Sequence, residues 1–394
     1  MKKLRRLLAR HYLTILVVIG VTGCAILMYG YGARTFVPAI SAAEKQTIEQ
    51  SASLQTIAAN PLWLPYKLTA YLAHKAGFAD VSIRLVSSFF AVITVYAFYS
   101  LARKWYSQRV AVLTTALFAI SSTTLTISRI ATPAILLYFW LVYIAAIAWF
   151  KTTRRTRLAP FIVLVLTGIL IYIPGSPWFF VLLTLWFWKD IPKIFKHTSK
   201  TWISLGAIIA ILGITPLVLA IYKEPTLIRS WLLLPQTINI SSTLETVKNI
   251  PAVFFYKSNM TGAYNLGKLP LFDAFTGTMF LIGVYSYRKK IRLERTIVYI
   301  LAGLVSMILA AVNQNQLYLL FFLPFMYLLV GEGIYFILNQ WRSVFPRNPI
   351  ARFVGTLLVS IAVFGACSYH LNRYFLAWVN APETKLIYSL PPKI

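Results

Sequence analysis

The sequence predicts an all-α polytopic membrane protein: about eleven transmembrane helices with two long external connections that carry short interfacial helices. Three observations predict it. The 394 residues are 59% hydrophobic with a mean hydropathy of +0.71, above the roughly 45–50% apolar content of ordinary globular chains. The apolar residues fall in runs close to the ~20 residues a helix needs to cross the hydrocarbon core. Most of the 38 Lys and Arg sit in short clusters between those runs.

The runs place spans near 12–32, 81–101, 109–127, 132–150, 158–173, 176–188, 201–222, 274–287, 296–312, 316–338 and 352–371. The first is long for a signal peptide and suits a spanning helix. Treating "YIPGSP" at 172–177 as a reversal makes the span count odd. The basic groups "MKKLRRLLAR", "RKWYSQR", "KTTRRTR", "KDIPKIFKHTSK", "YRKKIRLER" and "QWRSVFPRNPIAR" then all fall on one side. Because basic connections are retained in the cytoplasm, the N-terminus is expected inside and the C-terminus outside, in a plasma membrane. The same rule accounts for the formal charge of +28 without a nucleic-acid partner.

The chain reads as one membrane domain over 1–394, its long connections being about 33–80 and 223–273. Most of the scarce acids lie on the external side: Glu44, Glu49, Asp80, Glu224, Glu245, Asp273 and Glu383. Both connections hold proline and apolar residues, as in "NPLWLPYKL" and "NIPAVFFY", which favour short amphipathic helices at the membrane surface. Cys24 and Cys367 sit in apolar runs and offer no disulfide framework. His11, His74, His197 and His370 are scattered, so no metal site is expected. The nucleotide-binding P-loop, the G-x-S-x-G elbow and the H-E-x-x-H zinc motif are absent.

In "SAAE", Ser41 and Glu44 have the spacing of a capping box, in which the serine caps a helix and the glutamate bonds back to its amide. A carboxylate just outside a span also fits a general base, or an electrostatic or metal-binding group. Trp63, between two prolines and close to Asn60, is an interfacial anchor or a surface on which a sugar stacks. Arg84 and Arg129 either snorkel to lipid headgroups or present a planar fork to a substrate phosphate. Glu332 in "LLVGEGIYF" is read as a group solvated at the inner interface, with glycines beside it that permit close helix contact.

The order of a first span, an acidic connection holding "NPLWLPYKL", then "VSIRLVSSFFAVITVYAFYSLARKWYSQRVAVLTTALFAISSTTLTISRIATPAILLYFW" resembles the integral-membrane GT-C glycosyltransferases. The resemblance is to their protein mannosyltransferase and lipid A aminoarabinose transferase branch. It extends to "LPLFDAFTGTMFLIGVYSYRKK" and "LYLLFFLPFMYLLVGEGI". It implies transfer of a sugar from a polyprenyl-phosphate donor to a glycan, lipid or protein acceptor outside the membrane, in the cell envelope. By position it implies Glu44, in the acidic first connection, as the base, and matches Arg84 to the arginine that opens the second span. The residues themselves add Arg129, with Arg84 or Lys67, as cations at the donor phosphate, and Trp63 and Asn60 at the sugar or acceptor. A divalent metal is compatible with the resemblance, and membrane lipids are expected partners. Three positions depart from the pattern: Ala43 replaces the usual Asp, "IATPAI" after Arg129 carries no acid, and "NQNQLY" lacks an arginine. These departures favour, as one alternative, a non-catalytic relative; a transporter or flippase of a lipid-linked saccharide is the other.

Overall fold

The computed structural model describes residues 23, 26–33, 35–152, 159–188, 200–288 and 293–391. Most of the expected first span, its basic N-terminal group and parts of the basic connections at 153–158, 189–199 and 289–292 lie outside the described residues. What is described is helical, with a single isolated bridge between Ile40 and Leu390 as its only β pairing.

The first long connection folds as three short helices: α1 (Ala42–Gln50), α2 (Leu54–Ala59) and α3 (Leu64–Lys75). The capping box forms as expected, with Glu44 N–H donating to Ser41 Oγ at 3.2 Å and Ser41 N–H to Glu44 Oε2 at 3.0 Å. Trp63 starts α3 in the left-handed region at φ 64°, a conformation that costs a non-glycine residue about 1–2 kcal/mol. It is held there by its N–H, which donates to Tyr172 O at 2.8 Å.

A 3₁₀ turn, Asp80–Ile83, leads into α4 (Arg84–Trp105), followed by α5 (Gln108–Ile120) and α6 (Ser122–Ser128), which meet at a 60° bend. The expected span at 132–150 opens as a 3₁₀ turn at Pro133–Tyr138 and becomes α-helical only in α7 (Phe139–Thr152). Then come α8 (Ala159–Leu170), α9 (Ser176–Phe187), α10 (Lys200–Lys223), α11 (Leu227–Leu232) and α12 (Ile240–Phe255). The chain continues through α13 (Ala274–Tyr287), α14 (Glu294–Val312), α15 (Leu323–Val344) and α16 (Pro349–Asn372). It ends in a π-helical turn at Arg373–Trp378 and in α17 (Pro382–Ile387).

Four described helices are long and apolar enough to cross a membrane: Asp80–Trp105, Lys200–Lys223, Glu294–Val312 and Pro349–Trp378. The bent α5–α6 pair makes a fifth. Two other expected spans, 132–150 and 316–338, are shortened, because 3₁₀ turns at Pro133–Tyr138 and Gln316–Phe321 precede the α-helical ladder. Isoleucine, leucine and phenylalanine cover the exposed faces of α10 and α16, as at Ile211, Leu212, Phe353 and Phe364. Helices are the form in which lipid-facing backbone satisfies its own hydrogen bonds, and these faces make the protein an integral membrane one.

Two packing contacts bear on topology. Gly206 of α10 lies against Phe161 and Leu164 of α8, while Gly168 of α8 lies against Ala210. The residue numbers rise together, so α8 and α10 run parallel and the chain between them must double back. "YIPGSP" is therefore a reversal, with Gly175 at φ 81° donating its N–H to Trp231 O. In the second contact Gly283 of α13 and Gly333 of α15 let the helices approach so closely that a Cβ on Gly283 would overlap Leu329 O and one on Gly333 would overlap Met279 O. Glu332 beside this crossing is buried and accepts from Ser286 Oγ at 2.7 Å. That corrects the expected interfacial solvation: the glycine crossing draws the glutamate into the bundle.

Candidate functional site

One end of the bundle gathers the start of α4, the turn after α6, the first connection and the C-terminal segment. Arg84 opens α4 and is almost completely buried. Its Nε donates to Glu44 Oε1 at 2.8 Å and Nη2 to Glu44 Oε2 at 2.9 Å, a bidentate pair. Nη2 also donates to Ala39 O at 2.8 Å, and Nη1 to Ala33 O at 3.1 Å and to Val37 O. All of its N–H groups are thereby occupied, and the first connection is wrapped around one guanidinium.

Glu44 is equally saturated. At 0% exposure it accepts two bonds from Arg84, one from Ser41 N–H and one from Ala131 N–H at 2.7 Å. A carboxylate offers about four lone-pair sites, and each is filled. Glu49, five residues later, is exposed as expected of a solvated face.

Arg129 lies two residues before the Ala131 amide that Glu44 binds. Its Nε donates to Tyr374 Oη at 3.0 Å, Nη1 to Met28 O and Nη2 to Tyr31 O. The rings of Phe36, Tyr374 and Phe375 surround the guanidinium, with centroids 5.0–5.7 Å away. Arg84 and Arg129 line one cavity of about 10 Å³ with Tyr374, Trp378 and Tyr388, room for about one water molecule. Thus the arginines expected at a donor phosphate come together, but in this state protein acceptors occupy them and a phosphate does not fit between.

Lys67, Asn60 and Trp63 form a second group at the start of α3. The Lys67 ammonium, 2% exposed, donates to Asn60 O at 2.8 Å. Burial pushes its pKa down to about 8. Asn60 Oδ1 accepts from Leu62 N–H at 3.2 Å, and half-buried Trp63 packs against the apolar core. Asn60 therefore shapes the turn that brings Lys67 inward, and the Trp63 ring is a wedge rather than an open stacking face. Beside Lys67, Tyr66 Oη and Ser87 Oγ lie 2.8 Å apart, and Ser87 bonds on to Ile130 O. This chain ties α3 to the turn that carries Arg129.

Residues not anticipated as site residues stand nearby. Asp273 caps α13, its Oδ1 accepting from Phe275 and Thr276 N–H. Its Oδ2 lies 3.1 Å from His370 Nε2. His370 Nδ1 accepts from Ser122 N–H at 3.3 Å, which leaves Nε2–H to face Asp273. Despite the cost of burial, the His370 and Thr276 bonds hold the Asp273 carboxyl down at about 2. The sequence placed Asp273 among the external acids, but its pairing with a residue 97 positions away carries no local signal. The aromatic cover of Tyr374, Trp378 and Tyr388 left no sequence signal beyond "RYFLAW". Among the described residues no three His, Cys, Asp or Glu side chains gather as a metal ligand set.

No family model matches the sequence, and no curated protein matches it. Solved structures do match its fold. The apo structure of ArnT from Cupriavidus metallidurans superposes with a TM-score of 0.61 at 12% identity, covering 95% of this chain and 78% of that one. The same protein bound to undecaprenyl phosphate gives a TM-score of 0.58 at 12% identity, covering 96% and 78%. The chain therefore has an ArnT-like membrane fold.

Proposed function

We propose, from that fold and the charged layer at one end of it, that this protein transfers a sugar from a polyprenyl-phosphate donor to an acceptor at the outer face of the membrane. The observation that carries the reading is likeness over nearly the whole chain to a protein solved with undecaprenyl phosphate; because fold alone does not fix chemistry, the residues are argued separately. Arg103 and Lys104 end α4, while Arg84 begins it. The charged layer thus lies at the end opposite the basic connections, which supports an outward-facing site and a cytoplasmic N-terminus.

In such a transfer the acceptor hydroxyl attacks the anomeric carbon, the bond from that carbon to phosphate breaks, and the hydroxyl proton must go to a base. The departing phosphate needs a cation. Lys67 fits the second role, because its ammonium makes one hydrogen bond and has donors to spare. Arg84 and Arg129 add charge once their present partners are exchanged. Glu44 serves as base only after releasing Arg84 or the Ala131 amide, and until then it positions Arg84.

A second reading, a lipid-phosphate binder without transferase chemistry, is favoured by the filled coordination of Glu44 and by Ala43, exposed where an acid would stand. One experiment separates the two. Membranes carrying wild type, Glu44→Gln or Lys67→Met are supplied with radiolabelled polyprenyl-phosphate sugars, and undecaprenyl phosphate binding is measured in parallel. Transfer by wild type, reduced in both variants, supports the enzyme. Binding without transfer from any donor supports the second reading, and absence of both sinks both.

A further inference from the structure

The C-terminal segment does more than complete the packing: it covers the two buried arginines. We propose that residues 373–391 form a strap that closes over Arg84 and Arg129 and must lift before either guanidinium can meet a phosphate. The identity of that phosphate as lipid-linked rests on the function proposed above; the strap itself does not.

The cover is made of rings. Tyr374 and Phe375 lie over Arg129 at 5.4 and 5.0 Å, and Tyr388 lies over Arg84 at 5.8 Å. Trp378 stacks on Tyr374 with centroids 5.2 Å apart and an interplanar angle of 16°. With these rings in place the space between the guanidiniums admits about one water. Beneath the cover most of the arginine N–H groups are met by neutral oxygens, the carbonyls of Met28, Tyr31, Ala33, Val37 and Ala39 and the Tyr374 hydroxyl. A phosphate makes charge-assisted hydrogen bonds about twice as strong as those to neutral acceptors. The closed arrangement is therefore one that an anion can displace.

The segment has a fixed end, a hinge and a latch. Arg373 holds the fixed end, Nη1 donating to Pro270 O and Nη2 to Asn265 Oδ1, both at 2.7 Å. The hinge is the π-helical turn Arg373–Trp378, a geometry that is rare and frequent at functional sites, followed by extended backbone at Ala381. The latch is small: Ile40 and Leu390 exchange two backbone hydrogen bonds of 2.9 and 3.2 Å, Trp378 Nε1 donates to Gly262 O at 2.8 Å, and Tyr388 Oη to Ala263 O at 3.3 Å. It fastens the segment to both long connections, beside the rings of Tyr374, Trp378 and Tyr388, which are themselves buried in the apolar core. Enclosing two guanidiniums carries a desolvation cost, which opening the cover relieves.

Ile40 and Leu390 form a hydrogen-bonded antiparallel pair, whose Cα atoms are about 5.5 Å apart, within disulfide reach. The test therefore joins Ile40→Cys to Leu390→Cys in a full-length chain with Cys24→Ser and Cys367→Ala, held in nanodiscs. Phenylglyoxal labelling of Arg84 and Arg129 is read by peptide mass mapping, and undecaprenyl phosphate binding is measured on the same samples. Oxidation is expected to slow labelling at least tenfold (about 1.4 kcal/mol of protection) and to abolish binding, with reduction restoring both. Tyr388→Ala in the otherwise native chain is expected to speed labelling several-fold, which keeps the test open if the cysteine variant does not fold. Equal labelling in oxidised and reduced protein, or no change in Tyr388→Ala, overturns the strap. Gated labelling with no undecaprenyl phosphate binding in either state leaves the strap standing and removes the lipid-linked ligand.

Discussion

Replacing Glu44 by glutamine changes one atom and one charge, and the structure gives the consequence. The carboxylate accepts from Arg84 Nε and Ala131 N–H on Oε1, and from Arg84 Nη2 and Ser41 N–H on Oε2. The amide has a single oxygen, so whichever way it is turned its NH₂ faces two donors. Two hydrogen bonds are lost, at least one of them charge-assisted and worth about 1.5–3 kcal/mol. Arg84 also stays buried without a counter-ion, and breaking such a pair costs about 3–5 kcal/mol. We expect Glu44→Gln to lose about 3–5 kcal/mol, and Ser41→Ala, which removes only the cap, about 1 kcal/mol. Equilibrium unfolding in mixed micelles, followed by tryptophan fluorescence, measures both. Adding Arg84→Met to Glu44→Gln should recover part of the loss, with a coupling energy of about 2 kcal/mol. A Glu44→Gln protein as stable as wild type, within about 0.5 kcal/mol, would refute the structural role and return Glu44 to a solely catalytic one.

Three further outcomes are expected. Asp273 has its pKa lowered to about 2 in the fold, against about 3.9 unfolded; between those values the unfolded chain takes up a proton that the native one refuses. About 2 kcal/mol of stability, complete above pH 4, should therefore disappear as pH falls through about 2, and acid unfolding of Asp273→Asn should lack this component. Lys67, at about 8, loses its proton in the fold well before the unfolded value near 10.4. Undecaprenyl phosphate binding should accordingly weaken as pH rises through about 8, and Lys67→Met should bind weakly with no such titration. Finally, Gly283→Val or Gly333→Val should prevent α13 and α15 from meeting, costing more than about 3 kcal/mol or abolishing folded protein, as measured by recovery of monodisperse protein in detergent.

Local features were legible because they are written in neighbouring residues. The capping box needs only Ser41 and Glu44 three positions apart, and forms as read. The glycines of "GEG" announced a close crossing, and "YIPGSP" a reversal, because glycine and proline carry their conformational meaning within one turn. Apolar runs announced the membrane class, since about twenty apolar residues in a row have few other uses. Their subdivision was harder to read: hydropathy cannot distinguish a 3₁₀ turn at Pro133–Tyr138 from the helix that follows it.

The site divides in the same way. Residue types alone pointed to Glu44, Arg84, Arg129 and Lys67, because a charge near an apolar span costs too much to be idle. What those charges face was decided by tertiary structure. Arg84 found Glu44 forty positions away, Arg129 found Tyr374 at a separation of 245, and His370 found Asp273 and Ser122 on two other helices. The number of possible partners for a buried charge grows with every helix that can reach it, whereas a helix cap has one. The sequence by itself therefore determined the class of protein, the local turns and which residues are costly. Only the packing of the bundle decided that the two arginines line one small cavity and that the lone pairs of Glu44 are all filled, two by Arg84 and two by backbone amides.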